Sequence, residues 1–513
     1  MINYRKKYLH IYIWQAISII LGFVSLFVVM PFLTSNKTLY GVYSVCTSLT
    51  IFFSYADLGF LAAGTKYAAE YFIQGKKSEE IKIVGFTGFV MMAMFAILAL
   101  IIVVMSIYPE MLIPELIYGT DMYSIARSLL FTLAAGCPLM IGQRIINLIF
   151  TIRVEDYKYQ RIAVTGSIIK ILSVFYFFSG GRYMLVQYYI FFQVVNLLVV
   201  IIGILFLRKY GYSIMALIKA FRFDRDVFDK MKNLSGTALI LMMSAILFYE
   251  FDQLVVSHLL GIEAVAIYGV ALSVLTIVRT FSSFAFSPYA SRYNHFAGLQ
   301  DYVGLTEFTK KIIYLFVPIF VVLLFTFSLF AKPFVISWVG IDYEESALLA
   351  SIMVLGFIAN SVKDPITNYF VSLEKNKILI KYNVLIPLVY WLGIILTVRR
   401  LGILSFAILK AIAPFTPLIG YWYLARRDFN EKGTKFVSLF NLLKDLVMPT
   451  IVVLVFYYLV CPNLKVSQSP VSLLQVAAVM GLCAVLALVA SIPLSNTYKI
   501  ELNRILDKIR KKY

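Results

Sequence analysis

Apolar runs of about 20 residues recur along the whole chain, and no other feature restricts its fold as strongly. A hydrocarbon layer ~30 Å thick is crossed by about 20 apolar residues in a helix, whereas a barrel strand needs only ~9–11 in alternation. Runs of this length therefore specify helices. A soluble core could not absorb them. Hydrophobic residues make up 61% of the 513 and charged residues 14%, against roughly 45–50% and 25% in soluble domains. Composition thus excludes a cytosolic enzyme, a nucleic-acid binder and a disordered chain, and specifies an all-α polytopic membrane protein.

Fourteen spans are expected, at about 11–33, 40–63, 83–107, 122–150, 162–179, 184–207, 234–259, 264–290, 312–331, 346–371, 379–398, 402–424, 446–461 and 471–494. The first follows Arg5, Lys6 and Lys7. It is longer than the ~7–15-residue core of a secretory signal and is expected to be retained. Cys46, Cys137, Cys461 and Cys483 all lie in or beside apolar runs. They read as small apolar residues rather than as a disulfide framework or a metal site.

The net charge of +19 could suggest nucleic acid, but its distribution speaks against that. Of the 46 Lys and Arg residues, 34 lie in the N-terminus, the even-to-odd connections and the C-terminal tail, counting Lys381 at the start of span eleven. The opposite connections carry six. This alternation predicts both termini in the cytoplasm, with the basic connections touching anionic headgroups.

The longest basic connection, residues 208–233, separates six spans from six more. Leu217, Phe221, Phe228 and Met231 fall near helical spacing there, among Lys219, Arg222, Arg225, Lys230 and Lys232. They predict an amphipathic helix on the inner leaflet. The tail repeats the pattern with Leu502, Ile505, Leu506 and Ile509. Tyr40-Gly41-Val42 opens span two and Tyr268-Gly269-Val270 opens span eight, the second span of each half. The expected organisation is a six-helix lobe over 1–207, a linker over 208–233, a second six-helix lobe over 234–424, helices 13 and 14 over 425–494, and a basic tail over 495–513. Six spans per half make the lobes parallel repeats about an axis along the membrane normal. With no phosphate-binding G-x-x-x-x-G-K-[ST] motif, the pattern suggests a secondary transporter, with its substrate between the lobes near mid-membrane.

Ionisable groups deep in a bilayer are functional candidates by default. The cations are Arg127 and Arg144 in span four, Lys170 in span five, Arg279 in span eight, Lys363 in span ten and Lys410 in span twelve. The acids are Asp57 in span two, Glu250 and Asp252 in span seven and Asp364 in span ten. Arg127 and Arg144 lie near helix ends and could reach headgroups instead. Glu250 and Asp252 lie ~200° apart on a continuous helix, so both cannot face one cavity squarely. Asn360, Asp364, Thr367 and Asn368 share a stripe, and Pro365 predicts a kink. The excess of cations predicts an electropositive chamber for a phosphate-bearing headgroup, and the acids predict coupling to H+ or Na+. No other cofactor is expected.

The residues from Leu39-Tyr40-Gly41-Val42-Tyr43 through Ala56-Asp57-Leu58-Gly59-Phe60 to Lys66-Tyr67-Ala68-Ala69-Glu70 resemble the N-terminal signature of bacterial polysaccharide flippases. These belong to the multidrug/oligosaccharidyl-lipid/polysaccharide exporter superfamily. Phe251-Asp252-Gln253 through Gly261 to Ile267-Tyr268-Gly269 is similar to the start of that family's second half, and Ile336-Ser337-Trp338-Val339-Gly340 is also similar. Lys66 departs from the pattern, where arginine is commoner. The resemblance implies translocation of undecaprenyl-diphosphate-linked oligosaccharide repeat units for O-antigen, capsule or exopolysaccharide, alongside other polysaccharide assembly proteins. The alternatives are a cation-coupled multidrug exporter of the same superfamily and a lipid II flippase. A membrane polymerase or acyltransferase is disfavoured. No large outside connection occurs, and His10, His258 and His295 form no H-E-x-x-H arrangement. The chain is not expected to be an enzyme.

Overall fold

The computed structural model describes residues 4–207, 212, 214–373 and 375–492. The tail carrying Leu502, Ile505, Leu506 and Ile509 lies outside them. Nearly all described residues are α-helical, and no strand occurs among them. In hydrocarbon every backbone N–H and C=O must be satisfied within its own segment, which leaves helices as the solution for runs of this length.

Spans one to six and the linker give α1 (Tyr4–Leu33), α2 (Lys37–Ser48), α3 (Thr50–Tyr55), α4 (Phe60–Ile73), α5 (Lys77–Ile107), α6 (Asp121–Ile152), α7 (Asp156–Phe177), α8 (Leu185–Leu207) and α9 (Ile214–Ala220). Spans seven to ten give α10 (Arg225–Tyr249), α11 (Asp252–Leu260), α12 (Ile262–Gly298), α13 (Tyr302–Val339), α14 (Glu344–Leu355) and α15 (Phe357–Ser372). Spans eleven to fourteen give α16 (Asn376–Leu401), α17 (Ile403–Ile412), α18 (Thr416–Glu431), α19 (Leu439–Val460) and α20 (Pro470–Ser491).

Among the described residues, thirteen segments are long and apolar enough to cross a membrane. The sequence suggests fourteen. The difference is span two, which is broken into α2, α3 and α4, none of spanning length. Span thirteen, expected to be short, is a full 22-residue helix. Leu100, Ile395, Leu396 and Leu474 are all about two-thirds exposed or more. Large apolar side chains left bare in this number suit lipid, not water. The protein is a multi-pass membrane protein.

Two breaks differ from expectation. Span ten does not yield at Pro365, which α15 accommodates; it breaks at Gly356. A Cβ on Gly356 would meet the backbone of Ala411 at 2.8 Å, so the glycine permits α17 to approach closely. Span seven breaks at Glu250–Phe251, between the two acids. The 200° separation computed for a continuous helix therefore does not apply.

Contact density divides the chain into Met1–Ala266 and Ile267–Tyr513. In the first unit, α5 packs on α6, α6 and α7 on α8, α1 on α7, and α10 on α4. The apolar residues of the linker do not lie free on a leaflet. Met231 is fully buried, and Leu217, Phe221 and Phe228 pack against the core formed by Phe60, Phe86, Ile145 and Phe150. A leaflet offers these side chains no close-packed partners, whereas the helix ends do. In the second unit, α13 holds α14, α15, α19 and α20 around itself.

Candidate transport site

In the first unit, span two unwinds at its centre. Leu58 and Gly59 both adopt left-handed backbone, at φ 50° and 77°. Glycine takes this conformation readily, but leucine does so at a cost of ~1–2 kcal/mol. Asp57 occupies the break and is 1% exposed. One carboxylate oxygen accepts the Leu61 amide at 3.1 Å, capping α4. The other stands 3.6 Å from the Arg144 guanidinium of α6. Arg144 also lies 5.8 Å from the Phe95 ring centroid. It does not run to a headgroup; it is held at the break.

Lys170 of α7 donates to Asn196 Oδ1 of α8 at 2.6 Å, and its ammonium stands 3.7 Å from the Phe192 ring centroid. Gln143 of α6 also donates to Asn196 Oδ1, at 3.3 Å, while Asn196 donates to Gln193 at 3.0 Å. No carboxylate pairs with Lys170 among the described residues. A mid-span ammonium served only by amide oxygen and an aromatic face is short of negative charge. Arg127 is exposed near the N-terminal end of α6 and joins neither group.

The remaining acids of this unit lie where span seven breaks. Glu250 ends α10, and Asp252 is fully buried at the start of α11, one oxygen accepting the Gln253 amide at 2.9 Å. Gln253 reaches across to the Ser44 hydroxyl on α2. Toward the C-terminal end of α11, Ser257 donates to Leu112 O at 3.2 Å, and the Glu115 carboxylate accepts the Ile262 amide at 3.1 Å. Gly41 packs directly on Ile262 and Gly261 directly on Glu115; a Cβ at either would collide. Two motifs that carry the family resemblance thus meet through Gly41 and Ile262, while Gly261 takes a positive φ of 87° that favours glycine.

In the second unit, Lys363 and Asp364 are adjacent and half-buried on α15. Ser282 of α12 bonds Asp364, and Arg279 lies one turn before it on α12. Asn360 is 5% exposed, with no hydrogen-bond partner for Oδ1. Lys410 of α17 is separate and 2% exposed. Its ammonium is 3.5 Å from the Tyr268 hydroxyl and 5.6 Å from the Tyr390 ring centroid, with the two phenols 3.4 Å apart. The conspicuous Tyr268 of the second motif is therefore a wall of a closed cage around Lys410.

Two ion clusters at the basic end were not anticipated. Glu80 accepts from Arg153 and Tyr212, each at 2.5 Å, and from Lys77 at 3.2 Å. Burial and the bond to Glu80 raise the Tyr212 phenol above its usual pKa. Asp428 likewise accepts from Tyr369 and Lys375 at 2.5 Å and from Lys432 at 2.9 Å. Each is a buried carboxylate with one phenol and two cations. In sequence these residues sit at span ends, where charge is ordinary, so nothing singles them out. No group of metal-ligating residues occurs among the described residues.

The chain is an all-α array of long helices with ionisable groups held at unwound or amide-lined mid-span positions. This fold is shared with solved structures that include transporters of the multidrug/oligosaccharidyl-lipid/polysaccharide exporter superfamily. The chain is similar to a lipid II flippase, MurJ, in an inward closed conformation, at 12% identity and TM-score 0.64, over 93% of this chain and 97% of that one. It is also similar to an inward-facing multidrug resistance transporter of that superfamily, at 13% and 0.62, over 81% and 96%. A superfamily transporter from Pyrococcus furiosus, described as having a binding pocket of reverse polarity, matches at 12% and 0.55, over 83% and 95%. No protein-family model and no curated protein sequence matches the chain.

Proposed function

We propose that the protein is a flippase of the bacterial inner membrane. It carries undecaprenyl-diphosphate-linked oligosaccharide repeat units to the outer leaflet, for surface polysaccharide assembly. The observation that carries this reading is Lys170, a mid-span ammonium without a carboxylate partner among the described residues. A diphosphate supplies the missing charge, and the neighbouring amides offer hydrogen bonds to it or to the sugar beside it. Arg127, Arg144, Arg279, Lys363 and Lys410 are the further cations of the site. Asp57, Glu250, Asp252 and Asp364 are the candidates for H+ or Na+ coupling.

The working parts are the lobe 1–207, the linker 208–233, the lobe 234–424, helices 13 and 14 within 425–494, and the tail 495–513, with both termini cytoplasmic. Alternating access then requires the outer ends of α11 and α12 to leave α2 and the Glu115 loop. Asp57 holds Arg144 when no phosphate is present. A phosphate that takes Arg144 leaves Asp57 free to accept a proton, which couples the two.

A lipid II flippase is the second reading. The similarity to MurJ extends over 93% of the chain, against 81% for the multidrug transporter, and so takes in more of its length. A multidrug exporter is disfavoured because six mid-span cations against four acids would repel lipophilic cations. The test is leaflet location of both lipid-linked intermediates in a deletion strain. Repeat units trapped in the inner leaflet support the proposal; trapped lipid II supports the second reading; neither overturns both.

A further inference from the structure

A groove of about 300 Å3 lies between the first turn of α5 and the linker. Ser78, Glu79 and Lys82 line it from α5, and Lys219, Arg222 and Asp224 from the linker side. It exists because Gly85 lets Ala220 of α9 rest on α5, while Phe221 covers Gly88. Of its two acids, Asp224 is fully engaged. Asp224 caps α10 through the Val227 amide at 3.1 Å and pairs with Lys82 at 3.0 Å. Glu79 also acts on Lys82. Lys219 and Arg222 are exposed and make no ion pair among the described residues. Two unanswered cations therefore open onto one groove.

Its height in the membrane follows from α5, whose charged turn 77–82 gives way to apolar residues from Ile83 onward. The groove sits where headgroups begin. Beside it, Met215 is 63% and Phe223 58% exposed, and Phe223 is 6.5 Å from Phe89. Exposed apolar side chains at that level suit acyl chains, as the cations above suit a phosphate.

We propose that this groove binds the phosphate of an anionic phospholipid of the inner leaflet. The site is distinct from the transport path and does not rest on the identity of the transported substrate. The bound lipid joins the linker to span three, so that linker position responds to leaflet composition.

The test is the thermal-unfolding midpoint of the full chain in neutral detergent, titrated separately with phosphatidylglycerol, phosphatidylcholine and inorganic phosphate. Phosphatidylglycerol should stabilise the wild type preferentially. The variant Lys219→Gln/Arg222→Gln should bind it about 30-fold more weakly, as removal of two surface charges predicts. Lys465→Gln, in the connection between α19 and α20, should behave as wild type. If the double variant does not fold, each single variant should lose about fivefold. Equal stabilisation by both lipids, or an unchanged preference in the variants, overturns the proposal. Inorganic phosphate reproducing the whole effect overturns the lipid assignment in favour of a free-anion site.

Discussion

Asp57 of span two and Arg144 of α6 meet at 3.6 Å where the span unwinds at mid-length, so one carboxylate both caps α4 and holds the guanidinium in place. A continuous helix at this point would carry Asp57 as an unrelieved buried charge. The break relieves it locally through an amide and at longer range through Arg144.

Removing Arg144 alone leaves that carboxylate unpaired. Arg144→Ala is expected to cost on the order of 3 kcal/mol in unfolding free energy. The double variant Asp57→Asn/Arg144→Ala should recover much of it. Denaturant titration in detergent checks both; additive losses would show that the residues do not interact.

The strain at the break falls on Leu58. Leu58→Gly is expected to stabilise the protein, by up to about 1 kcal/mol after the added chain entropy of glycine is counted. Gly59→Ala should destabilise it by ~1–2 kcal/mol. A stabilising Gly59→Ala would contradict the left-handed backbone.

Among the cations, Lys170 and Lys410 should separate function from folding. Lys170→Gln is expected to lower transport about 10–100-fold, the worth of a charged hydrogen bond to phosphate. Lys410→Met should still insert, since a side chain of similar length keeps its packing beside Tyr268 and Tyr390. Lys170→Glu, and charge reversal at Arg279 or Lys410, should abolish export while the protein still inserts. Export measured in cells, with membrane abundance as the control, decides; wild-type export by the reversed variants would remove the cationic site.

The contacts of α2 with α11 and Ile262 make a mechanical prediction. With the native cysteines replaced, Ser44→Cys/Gln253→Cys joined by a short bifunctional thiol reagent should stop transport, and cleaving the linkage should restore it. Gly41→Val should push Ile262 away and raise thiol labelling of residue 44 from outside the cell. Full transport with the linkage in place would mean that these ends never part.

Linker docking should depend on pH. The Val227 amide first, and the Lys82 ammonium second, hold the Asp224 carboxyl below its usual range. Its stabilising effect is therefore complete above the ordinary aspartate pKa and is lost as pH falls through the depressed value. Asp224→Ala should cost ~1 kcal/mol at neutral pH, as for a helix cap, and that cost should shrink toward zero in strong acid, where the wild-type carboxyl is protonated too. Unfolding midpoints across acidic pH measure this.

Thirteen of the fourteen expected spans, membrane insertion and the alternation of basic connections were legible in the sequence by itself, because each depends on counting apolar and charged residues along one segment. The mid-span charges were legible for the same reason. Their partners were not. Asp57 finds Arg144 across a break that only the fold of span two reveals, and Lys170 finds the amides of α6 and α8, residues too ordinary in apolar runs to stand out. Lys410 meets the hydroxyl of Tyr268 and the ring of Tyr390. The linker's apolar residues turned inward because Gly85 and Gly88 offered α9 and Phe221 a surface closer than lipid. Periodicity says which face of a segment is apolar; which neighbour covers that face is decided by packing between segments far apart in the chain, and only the tertiary structure contains that.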